Sequence, residues 1–84
     1  MQAMEDRRLY ADWEEIVGPA AARETRPMRI EKEVLWIGVS NAPLANQLLY
    51  LKGKIIERIR SRYPQSRIRD VRVLHIPGEG WTRR

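Results

Sequence analysis

Between Met4 and Val17 apolar side chains recur at Leu9, Trp13, Ile16 and Val17, the three-and-four spacing of one helix face, with Glu14 and Glu15 on the other side. This predicts a first amphipathic helix over 4–17. Gly18-Pro19 ends it, because Gly accepts the left-handed conformation of a helix end and Pro, which cannot continue the hydrogen-bond ladder, suits the first turn of a new helix. A short second helix from Pro19 to Glu24 is expected. Pro27 breaks the chain again, and Met28 and Ile30 then alternate with Arg29 and Glu31 up to a polar Lys32-Glu33 turn. Val34 to Val39 is rich in β-branched and aromatic residues and too short for a helix, so the two segments read as an antiparallel hairpin. Leu35, Ile37 and Val39 share one face of the second strand and Val34, Trp36 and Gly38 the other, which predicts partial cover on both sides.

Ser40-Asn41 are capping residues and Pro43 sits in a first helical turn, after which one long helix is predicted to run to Tyr63. Its apolar arc collects Leu44, Ala45, Leu48, Leu49, Leu51, Ile55, Ile56, Ile59 and Tyr63. Lys52 falls inside that arc, so its stem is expected along the core edge with the ammonium in water. A last strand from Arg69 to Ile76 turns Val71 and Val73 toward the helices, Pro77 to Gly80 form a turn, and Trp81 to Arg84 make a basic tail. The predicted order is α-α-β-β-α-β. It describes a single α+β domain over residues 1–77, with a short tail at 78–84 and helices on one face of a three-stranded sheet.

At 84 residues the chain holds one domain and is too small for a nucleotide-hydrolysing motor. With no cysteine and a single histidine, disulfides, thiolate zinc sites and histidine clusters are excluded. No segment reads as a signal peptide or a membrane span, so a cytoplasmic protein with no membrane partner is expected. No P-loop is present, and the carboxylates Glu14/Glu15 and Glu31/Glu33 read as solvated surface. His75, Asp70 and the serines lack the turn that would expose a nucleophile. The expectation is no enzyme, no cofactor and no metal.

Charge changes the picture most. Residues 1–33 carry six basic and eight acidic side chains, whereas residues 34–84 carry ten basic and three acidic ones. Lys54, Arg58 and Arg62 stand four apart and form a cationic ridge on the long helix, which Lys52, Arg67, Arg69 and Arg72 extend. Phosphate backbones reward such an array, because each neutralised phosphate releases condensed counterions. These seven residues are the expected phosphate-backbone-binding set. With few aromatic side chains in this stretch (Tyr50, Tyr63, then Trp81), backbone-directed contact is expected rather than sequence readout. Trp13 reads first as a core residue of the stripe containing Leu9 and Ile16. In the second reading, an exposed ring beside Glu14 and Glu15 anchors a protein partner.

Several of these residues together resemble a bacterial family. Trp13-x-x-Ile16-Val17-Gly18, Ala21-Ala22, Thr25, Pro27, Leu35-x-Ile37-x-Val39-Ser40, Leu44-Ala45-x-Gln47-Leu48, Ile55-Ile56-x-x-Ile59 and Val71-x-Val73 are similar to the DciA family. Glu24 stands where that family often has His, Leu44 where Trp is usual, and Lys32-Glu33 lacks the common hairpin glycine. The resemblance implies a KH-like domain that binds single- or double-stranded DNA and acts with the replicative hexameric DNA helicase, promoting its loading at replication initiation. It implies association with the nucleoid. The alternatives are a small KH-like RNA-binding or ribosome-associated protein, although no G-x-x-G loop is visible, and an interaction domain whose charge serves solubility.

Overall fold

A computed structural model describes residues 2–76, with side chains from Arg7 onward. The turn and basic tail expected beyond Pro77 lie outside the described residues. The first predicted helix is two: α1 (Gln2–Ala11) and α2 (Trp13–Val17), divided at Asp12. The carboxylate of Asp12 makes no cap bond to α2 and instead accepts from the Tyr63 hydroxyl at 2.6 Å. Gly18, at φ 95°, closes α2 with its N–H on the Glu14 carbonyl, and Pro19 opens α3 (Pro19–Glu24).

β1 (Thr25–Glu31) and β2 (Val34–Val39) form the hairpin, joined by Lys32 and Glu33, both at positive φ. Pro27 does not break the chain as expected. It lies inside β1 at a register shift between Pro27 and Arg29, on an outer strand where a missing N–H costs no ladder bond.

The long helix is also two, α4 (Ala42–Tyr50) and α5 (Lys52–Arg62), divided at Leu51. Asn41 caps α4 by accepting the Leu44 N–H at 2.8 Å. At Leu51 the N–H is shared between the carbonyls of Gln47 and Leu48, which tightens the final turn of α4. This division takes Leu49 and Leu51 off the arc assigned to them. With Tyr50 they form an exposed apolar corner, Tyr50 being 90% accessible.

β3 (Asp70–His75) pairs parallel with β2, giving a mixed three-stranded sheet in the order β1-β2-β3. Leu35, Ile37 and Val39 are fully buried beneath Leu9, Trp13, Ile16, Leu48, Ile55 and Ile59. The described helices therefore cover one face of the sheet. Val34, Trp36 and Gly38 point the other way, by the alternation of the strand.

Candidate nucleic-acid interface

The packing of α5 across α2 decides what becomes of the cationic ridge. Arg58 donates from Nη1 to the Ile16 carbonyl at 2.8 Å, satisfying an orphan group at the negative end of α2. Arg62 donates from Nη2 to Glu15 Oε1 at 2.6 Å and lies 3.5 Å from Asp12. Glu57, the acid nearest in sequence, is not the ridge's partner. The acidic first half supplies it.

The remaining predicted cations divide in the same way. Lys52 is paired with Asp70 at 3.0 Å, and Arg69 with Glu33 at 2.9 Å. Arg72 stands 3.5 Å from Asp70 and 6.0 Å from the centre of the Trp36 ring. Lys54 and Arg67 are exposed, and their side chains make no ion pair or hydrogen bond to another described residue. Lys54 and Arg58 border a groove of about 430 Å³ between the α2/α3 joint and the α4/α5 joint, with Val17, Pro19, Leu44, Leu51 and Ile55 along it.

Two carboxylates carry the imprint of these contacts. Asp12 is held below the ordinary carboxylate range, chiefly by the Tyr63 hydroxyl; burial opposes this, and the charge and hydrogen bond of Arg62 add to the lowering. Asp70 is lowered as well, by Lys52 first and by the N–H of Val71. Burial, followed by its bond to Asp12, pushes the Tyr63 hydroxyl up.

Trp13 proves to be the core residue of its two readings. It is 5% exposed, and its indole N–H donates to Thr25 Oγ1 at 3.0 Å. Glu14 beside it stays exposed.

A family model, Dna[CI] antecedent, DciA, matches residues 1–73 of this chain. The chain belongs to the DciA family. No curated protein matches it. Membership places it in a family associated with helicase loading in bacteria. Most of the positions that carry the DciA likeness are structural: Trp13 and Thr25 are hydrogen-bonded partners, Gly18 takes a positive φ, and Ile16, Leu35, Ile37, Val39, Leu48, Ile55, Ile59 and Val71 are buried. The departures are accommodated too. Glu24 accepts a hydrogen bond from the Ser40 hydroxyl, and Leu44 lies along the groove.

Among the described residues no three His, Cys, Asp or Glu side chains gather where they could hold a metal ion, and no helix is long and apolar enough to cross a membrane. Sequence reasoning missed one group, Trp36 flanked by Arg29 at 5.1 Å and Arg72 at 6.0 Å from its ring centre. The signal was available in the alternation of β2, which puts Trp36 opposite the buried face. What could not be read was the pairing that brings an arginine to it from each side.

Proposed function

We propose that this chain is a non-enzymatic DNA-binding adaptor that recruits the replicative helicase and promotes its loading. Membership of the DciA family carries the reading. Of the seven expected cations, those without an acidic partner support its DNA half: Lys54 and Arg67, with Arg58 beside Lys54, can meet phosphates without first breaking an ion pair. Lys52, Arg62, Arg69 and Arg72 contribute less, each being already paired. The helicase contact is assigned to the α2 surface at Glu14. Trp13 serves it indirectly by fixing α2 to Thr25. A domain of this kind acts by concentrating helicase on DNA, joining two modest affinities.

The test is retention of a hexameric replicative helicase by the chain, together with binding of labelled DNA. Charge reversal at Lys54 and Arg67 is expected to weaken DNA binding about tenfold at low salt while the helicase is still retained. Failure to retain helicase under any condition overturns the loader reading. Preference for structured RNA over both DNA forms in competition transfers the protein to the RNA-binding class.

A further inference from the structure

Trp36 occupies the middle strand of the sheet, where both chain neighbours, Leu35 and Ile37, are fully buried beneath the helices. Its side chain therefore rises from the opposite face and is partly exposed. In the strand register it lies beside Arg29 of β1 and Arg72 of β3, and paired positions project from the same face. Both guanidinium groups sit over the ring, at 5.1 Å and 6.0 Å from its centre. Both arginines are also more than half exposed, at 53% and 59%. An accessible indole between two cations meets the two demands of a single strand, a π-surface for a base and positive charge for the adjoining phosphates.

We propose that this sheet face is a stacking site for single-stranded DNA, with Trp36 as the platform, Arg72 as the phosphate contact and Arg29 as the fixed far side of the stack. The proposal rests on the DNA-binding reading and adds a second surface to it, away from the α5 ridge. Arg72 is the more loosely held of the two. It is the farther of the two from the ring, and its contact with Asp70 is long at 3.5 Å. Asp70 keeps a closer cation, Lys52 at 3.0 Å, and the Val71 N–H at 2.8 Å, so departure of Arg72 leaves no stranded carboxylate. A base takes the place of Arg72 over the indole and the guanidinium moves to a phosphate. Arg29, held at 3.0 Å by Glu31, stays and closes the other side of the stack. Duplex DNA is excluded from this role, because its bases are stacked on each other and do not present a free face to a flat sheet.

The test uses the whole chain and four labelled probes: a thymidine oligomer of about a dozen nucleotides, a strand of equal length made of abasic sites, a duplex, and a uridine oligomer. The unmodified protein is expected to bind the thymidine strand about tenfold more tightly than the abasic strand, a comparison that needs no variant. Trp36→Leu is expected to erase that difference, Trp36→Phe to restore most of it, and Arg72→Gln to weaken both strands alike. Equal binding of thymidine and abasic strands by the unmodified protein overturns the proposal, as does a Trp36→Leu protein that keeps the difference. Tighter binding of the uridine strand overturns the assignment to DNA. If stacking is absent while DNA still binds through Lys54 and Arg67, only this inference falls. If no probe binds, the DNA-binding reading falls with it.

Discussion

Thr25 joins the first half of the chain through a single oxygen: its hydroxyl accepts the indole N–H of Trp13 at 3.0 Å and donates to the Ala21 carbonyl at 2.8 Å. Thr25→Val keeps the shape and removes both bonds, leaving a buried indole N–H without an acceptor. The expected cost is about 1–3 kcal/mol, read as a shift of the urea midpoint at unchanged slope. The acidic residues give a pH signature of definite sign. Asp12 and Asp70 have folded-state pKa values below their unfolded ones. Their contribution is thus present above the ordinary carboxylate value, about 4, and is lost as pH falls through the lowered values. Asp70→Asn should cost thermal stability near neutrality, and its melting curve should converge on that of the unmodified protein as the solution is acidified. Parallel curves across the acid range would contradict the assignment of the Lys52 contact.

The two described glycines with open space around them make a matched pair at the level of elements. A Cβ on either Gly18 or Gly53 would meet no atom within 4 Å, so only the backbone separates them. Gly18 sits at φ 95° between α2 and α3, and Gly18→Ala is expected to destabilise by about 1–2 kcal/mol. Gly53 lies in the first turn of α5, and Gly53→Ala is expected to stabilise by about 0.5–1 kcal/mol through a less disordered unfolded chain. Differential melting of the two proteins checks both signs. The same joints show how much of the fold was legible in the sequence. Gly18-Pro19 is visible because both residues act on their own backbone, and the hairpin is visible because Lys32-Glu33 separates two alternating strands. Asp12 and Leu51 are ordinary helix residues. The break at Asp12 accompanies a contact with Tyr63, far along the chain, while that at Leu51 redirects a continuous apolar pattern that a single helix would have satisfied. Pro27 misleads for a related reason, since its tolerance depends on lying at the sheet's edge.

Over the whole molecule, charge segregated along the chain is partly recombined by folding. Lys52, Arg62 and Arg69 each reach a carboxylate distant in the chain, and the strength of each pair is modest because all remain substantially exposed. Their positive charge was legible in the sequence, whereas its neutralisation was not, since Glu15 and Glu33 lie far from their partners until α5 packs on α2 and the segment before β3 meets the hairpin turn. Two classes of cation follow, with opposite responses to salt. Lys54 and Arg67 have no acidic partner among the described residues, so a phosphate bound there releases counterions without the loss of an internal pair. Lys54→Ala and Arg67→Ala are each expected to lower the slope of log affinity against log salt by about one, with little change in melting temperature. Arg62→Ala and Arg69→Ala are expected to leave that slope nearly intact and to lower the melting temperature slightly at low salt, a difference that fades as salt screens the pairs. DNA titrations at several salt concentrations, run beside melting curves of the same four proteins, separate the classes. A slope that falls equally for all four would mean that DNA opens the internal pairs and that the phosphate-binding surface is the entire ridge.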